Sequence, residues 1–324
     1  MNASAGRIDG ALAEVVRSHL LAAAQEMRAT LVRTAFSPVI YEVLDFGISI
    51  YDRAMDLIAE APGLTFFLGA NDYSVRKVVA HVGVATLAPG DIVLSNYPYW
   101  NAAHTYDATL LAPVFEPGDG SLLAFLVIRA HWMDLGAKDP GYVLDSTDMH
   151  QEGVVFPGTR IFRQGEPNAE ILDLIRFNSR MPDIVLGDMH AQVAALRTGE
   201  RRLHEILRRF GRTTFDAAVA ALLDHGERTT AAALARLPKG SWTATDLLDD
   251  DGISDTPIEM RATVTIGDGR FEVDFAGSAP AARGPVNMPF GSTLAMCKVV
   301  FKALTSPDQP SNAGQTRALD VKAE

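Results

Sequence analysis

Two segments, Thr109–Phe115 and Leu122–His131, are apolar almost throughout and flank the run Pro117-Gly118-Asp119-Gly120. Turn residues between two such segments predict a β-hairpin. Strands this apolar belong in a core, and 324 residues with 48% hydrophobic content can build a sizeable one.

The rest of the chain falls into segments around that hairpin. Leu12, Val16, Leu20, Ala23, Met27, Leu31 and Ala35 recur at a helical period and predict one helix over residues 9–35, capped by Asp9 and stopped by Pro38. A second hairpin is expected from Asp45–Tyr51, a turn at Arg53–Asp56, and Leu57–Glu60. Asp72–Thr86 reads as a helix and Asp91–Asn96 as a short buried strand after Pro89-Gly90. Residues 136–168 are rich in Gly, Pro and Asp and read as a long irregular connection. Residues 169–236 read as helical, and 239–276 return to β-structure through Trp242–Leu248, Ile258–Ile266 and Arg270–Phe275. Residues 291–304 form a last helix, and Asp320–Glu324 looks like the start of a strand. The expected class is α+β, with mixed sheets, a long N-terminal helix and a central helical segment, and no topology is fixed by these signals. Three regions follow: an α/β metal-site region over 1–168, a helical segment over 169–237, and a β-hairpin plus helix region over 238–324. The abrupt end predicts that the last region continues in a longer polypeptide.

Composition narrows the function classes. A net charge of -11 argues against nucleic acid, whose phosphates need clustered Lys and Arg. The one dense basic run, Arg201, Arg202, Arg208, Arg209 and Arg212, has the spacing of a solvated helix face. The single cysteine, Cys297, rules out an internal disulfide framework and reads as a buried inert thiol. No apolar run is long enough to span a membrane and no signal peptide pattern opens the chain, so a cytoplasmic protein is expected. The acidic run Asp249-Asp250-Asp251 reads as an exposed turn.

Several chemistries lack their signatures. The chain has no P-loop, no Gly-x-Gly-x-x-Gly after a strand, no Gly-x-Ser-x-Gly and no His-Glu-x-x-His. It does have two His-x-x-Asp segments, His104-Thr105-Tyr106-Asp107 and His131-Trp132-Met133-Asp134. Residues three apart point to opposite faces of a regular strand, so either pair can converge on one ion only where the backbone bends. Pro98 and the small residues up to Ala103 permit a bend before the first pair, and Gly136 permits one after the second. Mixed imidazole and carboxylate donors suit Zn²⁺, Mn²⁺ or Fe²⁺. The other reading is that both histidines are hydrogen-bonded residues near the core. Asp45, among Val43, Leu44 and Phe46, needs a partner because an unpaired buried charge is costly; a backbone amide, Arg33 or a metal would serve.

Taken in order, these and neighbouring segments resemble the hydantoinase B/5-oxoprolinase family, which includes N-methylhydantoinase B-type and caprolactamase-type subunits and the metal-bearing subunits of acetone and acetophenone carboxylases. The segments are Arg33–Ser37 with Glu42–Phe46, Pro89–Val93, Asn96–Tyr99 through His104 and Asp107, Ala130–Gly136, Gln151–Gly153, Asn178–Arg180, Gly187–Gln192 and Gly284–Asn287. The resemblance implies metal ligands at Asp45, His104, Asp107 and His131. It departs at Ala102-Ala103 and Gly136-Ala137, where the family commonly pairs glycines, and at Phe66–Asn71, where many members carry a histidine. These changes bear on the substrate more than on the metal.

The resemblance also implies a reaction shared between subunits, hence a hetero-oligomer. A hydantoinase A-type ATPase subunit would consume ATP to phosphorylate the carbonyl oxygen of a small-molecule lactam, cyclic imide or ketone. The metal subunit would then hydrolyse the activated amide or carboxylate the activated ketone, with Asp134 or Glu152 as general base. Asp134 reads equally well as a group that orients His131. A non-catalytic scaffold for the partner ATPase is the third reading.

Overall fold

The computed structural model describes residues 8–101 and 103–323. Residues 1–7, Ala102 and Glu324, on which the readings of the N-terminus, the Ala102-Ala103 pair and the final segment partly fall, lie outside the described residues. Helix α1 (Gly10–Thr34) follows the expected periodicity, and the Asp9 carboxylate accepts from the Ala11 amide at its start. Pro38 opens a short helix α2 (Pro38–Tyr41), where proline's missing amide is not needed. Strands β1 (Phe46–Asp52) and β2 (Leu57–Ala61) form the expected antiparallel hairpin.

Helix α3 (Thr65–Val82) starts well before the expected Asp72. Gly69 weakens the local helix signal, but its missing side chain admits a neighbouring helix: a Cβ there would sit 3.0 Å from Ala295. Then come β3 (Ile92–Ser95), the single turn α4 (Pro98–Asn101), β4 (Asp107–Phe115) and β5 (Leu122–His131). The stretch 136–168 is not wholly irregular as expected. It contains β6 (Pro157–Arg163) and β7 (Glu166–Pro167), and β6 pairs with β3 through two register irregularities. Those irregularities and Gly158 remove the alternation that reveals a strand.

The central helical segment comprises α5 (Ala169–Asn178), α6 (Pro182–Phe210) and α7 (Arg212–Leu234). Gly211, at φ 77°, makes the break between the last two. Strands β8 (Gly240–Leu248), β9 (Ile258–Ile266) and β10 (Phe271–Asp274), helix α8 (Phe290–Thr305) and strand β11 (Leu319–Lys322) complete the chain. The class is α+β, as expected.

The larger sheet has the order β2-β1-β5-β4-β3-β6-β7 and its pairs are all antiparallel. Both faces are covered, which explains why β5 is apolar without alternation. Ile48, Ile50, Leu126, Ile128 and Leu110 pack with α1 and α6, while Tyr51, Phe125, Val127 and Leu111 pack with Val75, Val78 and Val79 of α3. The smaller sheet, β11-β10-β9-β8, is mixed, because β11 runs parallel to β10. Asp251 departs from the exposed acidic turn expected: it is buried, and its carboxylate accepts from the amides of Ile253, Ser254, Arg283 and Gly284. Cys297 is buried as expected, which pushes its thiol up to about 11.

Candidate metal centre

Strand pairing brings the candidate ligands together. Asp107 is the first residue of β4 and His131 the last of β5, and the two are direct cross-strand partners, so their side chains share a face. On the other side of β5, Asp45 immediately precedes β1, and its carbonyl accepts from the His131 amide. Leu44, at φ 62°, holds the left-handed conformation just before Asp45, a strained arrangement for a branched side chain. His104 arrives from the turn between α4 and β4, the bend that the first His-x-x-Asp pair required.

His104, Asp107 and His131 offer ligand atoms that all lie within 4.8 Å of one another. His104 Nε2 is 3.6 Å from Asp107 Oδ2, and His131 Nδ1 is 3.3 Å from Asp107 Oδ1. Asp45 Oδ2 stands beside this group, 4.0 Å from His131 Nδ1. No ion pair joins Asp45 to Arg33 among the described residues, and both Asp107 oxygens and Asp45 Oδ1 are buried without a well-aligned hydrogen-bond donor, His131 Nδ1 being the near neighbour of Asp107 Oδ1.

The proton positions sharpen this. His131 Nε2 lies 3.1 Å from the carbonyl of Gly141, which can only accept, so Nε2 carries a proton. In the neutral ring, Nδ1 then presents a lone pair to Asp107 Oδ1. Lone pair against lone pair at this distance calls for a cation or a second proton between them. The titration of the groups agrees. Burial, then the charge of Asp107, pushes Asp45 up to about 6. Burial lowers His131, but the hydrogen bond and charge of Asp107 outweigh it, so the imidazole is raised. Burial raises Asp107, but His104, His131 and Arg129 together hold it below its ordinary value. Burial also lowers His104, which favours the neutral, ligating form. Two imidazoles and two carboxylates of this kind fit a divalent transition metal.

Side chains that the sequence did not single out hold this arrangement. Arg129 is fully buried on the same face of β5 as His131. Its Nε donates to Thr109 Oγ1 at 3.1 Å, and its Nη2 to Ser74 Oγ at 2.6 Å and Asn101 Oδ1 at 3.4 Å. Asn101 in turn donates to the Asp107 carbonyl at 2.5 Å. Behind the ligand strands, Gln192 of α6 accepts from the Trp132 indole at 2.7 Å and donates to the carbonyls of Ala108 and Ile128. Replacing Gln192 with leucine leaves those buried groups without their partner. At about 1 kcal/mol or more each, the loss should total about 3 kcal/mol, read as a fall in the urea midpoint.

The second His-x-x-Asp pair does not converge. Asp134 is fully buried, its Oδ1 accepting from the Gly136 amide at 3.0 Å and its Oδ2 from the Arg180 amide at 2.5 Å. The Arg180 Nε adds an ion pair at 3.2 Å. Glu152 is half-buried; its Oε1 accepts from Ser146 at 2.6 Å, and its charge acts on His104. Arg201, Arg208 and Arg209 are exposed as expected, whereas Arg202 and Arg212 are half-buried and paired to Glu26, Glu205, Glu116 and Asp216. No helix among the described residues is long and apolar enough to cross a membrane.

Residues 9–324 match the hydantoinase B/oxoprolinase family. A protein from Pseudomonas sp. (strain NS671), provisionally named as the B-type subunit of a D-/L-hydantoinase, is 30% identical over 98% of this chain and 56% of its own length. The crystal structure of the ATP-dependent caprolactamase from Pseudomonas jessenii superposes with a TM-score of 0.88 at 25% identity, covering 98% of this chain and 54% of that one. Nucleotide-free acetone carboxylase shares the fold, with a TM-score of 0.86 at 17% identity, over 96% of this chain and 43% of that one. The chain spans about half the length of the curated relatives it matches. With a match that runs through every strand and helix carrying the candidate ligands, this chain belongs to the hydantoinase B/oxoprolinase family.

Proposed function

We propose that this chain is the metal-bearing subunit of an ATP-dependent amidohydrolase that opens a cyclic amide of the hydantoin, lactam or 5-oxoproline type. In this reading it works with a hydantoinase A-type ATPase subunit that consumes the ATP. The observation that carries the reading is the His104–Asp107–His131 group, with its carboxylate oxygens buried and without a well-aligned donor. Asp45, His104, Asp107 and His131 would hold the ion. A divalent metal there would supply a Lewis acid and bring the ionisation of water near neutral pH. The names of its relatives, a hydantoinase and a caprolactamase, support cyclic amides as the substrate class.

The chain's own residues divide the remaining work. Phosphorylation of the amide oxygen by the partner removes the resonance that protects the carbonyl carbon. Glu152, half-buried and close enough for its charge to act on His104, is the general base for water in this scheme. Asp134, with both oxygens engaged, is a positioning residue: it fixes the turn after His131 to Arg180. The Gly141 carbonyl sets the His131 tautomer.

The test is elemental analysis of the purified chain, followed by reconstitution with the ATPase subunit and a cyclic amide panel. The expected result is a stoichiometric Zn, Mn or Fe and ring opening that needs ATP and stops on chelation. Incorporation of labelled bicarbonate in place of hydrolysis would turn the reading to ketone carboxylation. A metal-free chain that still activates the ATPase would leave a scaffold.

A further inference from the structure

The segment Asp139–Tyr142 touches both candidate imidazole ligands. The Gly141 carbonyl accepts from His131 Nε2 at 3.1 Å, and the Gly141 amide donates to the Met133 carbonyl at 2.8 Å. At the start of the same segment, the Tyr106 hydroxyl donates to the Asp139 carbonyl at 2.6 Å. Gly141 adopts φ 84°, in the left-handed region open to glycine, with nothing within 4 Å of where a Cβ would be. Conformation, not crowding, therefore calls for glycine here. Held on both sides, the chain delivers Tyr142 edge-on against His104, with ring centroids 5.2 Å apart and an interplanar angle of 82°.

The other aromatic neighbours of His104 differ from Tyr142 in exposure. Tyr106 and His131, at 5.5 Å and 5.2 Å from His104, are buried. Tyr142 is 58% exposed, so it forms the solvent side of the ligand cluster. Its ring, packed edge-on against His104 on that solvent side, stands at the edge of the ligand cluster. A phenol is both donor and acceptor, and the carboxylates nearest it are acceptors only.

We propose that Tyr142 is the substrate-facing hydrogen-bond donor of this centre, presenting its hydroxyl to the oxygen on the reacting carbon of a compact carbonyl substrate. This inference rests on the metal-centre reading of the proposed function. The ring packs on His104, and the hydroxyl orients the substrate oxygen towards the face where the ion is held.

Tyr142→Phe removes the hydroxyl and keeps the ring on His104. Wild-type and variant full-length chains are loaded with Zn²⁺, their metal content is measured, and acetohydroxamate, a small carbonyl-bearing metal ligand, is titrated calorimetrically. The expected result is equal metal content and roughly 10-fold weaker acetohydroxamate binding in the variant, the loss of one hydrogen bond. Equal metal content with unchanged affinity overturns the role of Tyr142 and leaves the metal centre standing. Loss of metal from Tyr142→Phe also overturns it, because the residue would then be part of the centre's framework. A wild-type chain that takes up no metal overturns the metal-centre reading itself, and this inference with it.

Discussion

Asp45→Asn is expected to make the metal-free protein more stable and the metal-loaded protein less so. Burial and the nearby charge of Asp107 raise the Asp45 carboxyl from 3.8 to about 6. Above that pH the group is ionised in the folded and unfolded chain alike, but it is held at a disadvantage in the folded one. The side chain is 22% exposed, so the shift converts to on the order of 2 kcal/mol. Asparagine removes the charge and keeps the shape, so the metal-free variant should melt several degrees higher at pH 7.5. The sign can be checked against pH. As pH falls through about 6 towards 4, the wild-type Asp45 protonates and its penalty disappears. The gap between the two proteins should close over that window. With metal the order reverses. Saturating ion, at about 100 times its Kd, stabilises the wild type by about 2.7 kcal/mol. The introduced amide contributes no charge to the ligand set, so most of that gain should be lost in the variant. Differential scanning calorimetry with and without Zn²⁺ or Mn²⁺ reads both signs. A metal-free variant less stable than the wild type would show that Asp45 is satisfied without an ion.

Much of this geometry was legible in the sequence, and the reasons are local. The apolar hairpin at 109–131 appears as β4 and β5 because both faces are buried and every second residue is apolar on each. The N-terminal helix was legible because its 3.6-residue stripe packs against one sheet face. The four candidate ligands were found through residue type and family resemblance. Spacing alone left both His-x-x-Asp pairs equal, and only the first one converges. The difference lies in register: Asp107 faces His131 across two strands, while Asp134 lies beyond the strand end, in a turn held by Arg180. Register is set by long-range pairing, which a local spacing does not encode. The strand β6 was hidden for a related reason, since its partner β3 is far away in sequence and the ladder is interrupted. Arg129 and Gln192 were hidden inside segments whose other residues carried the signal. An arginine within Leu126-Val127-Ile128-Arg129-Ala130 was the available clue, because a charge inside a buried strand needs a dedicated set of partners. Tyr142 carried no such signal: its place against His104 depends on a glycine conformation that brings the loop back to the cluster.

Arg129→Met should be the most destabilising single change near the centre. Arg129 is fully buried, and burial lowers it only to about 10, so it remains a cation at neutral pH. It braces Thr109 on β4, Ser74 on α3 and Asn101 on α4, and its charge is one of those that keep Asp107 ionised. Methionine fills much of the volume but removes the charge and leaves Ser74, Thr109 and Asn101 short of their donor. Removing one partner from a buried charge network typically costs about 3–5 kcal/mol, so the urea midpoint should fall by that equivalent. The metal dependence separates the lost charge from lost packing. A divalent ion held by the candidate ligands would restore positive charge beside the same carboxylate. Adding Zn²⁺ or Mn²⁺ should therefore raise the melting temperature of Arg129→Met by more than it raises that of the wild type. If the defect were packing alone, the two increments would be equal. A smaller increment in the variant would mean that Arg129 acts by holding Asn101 and the Asp107 backbone in ligating position, with its charge secondary.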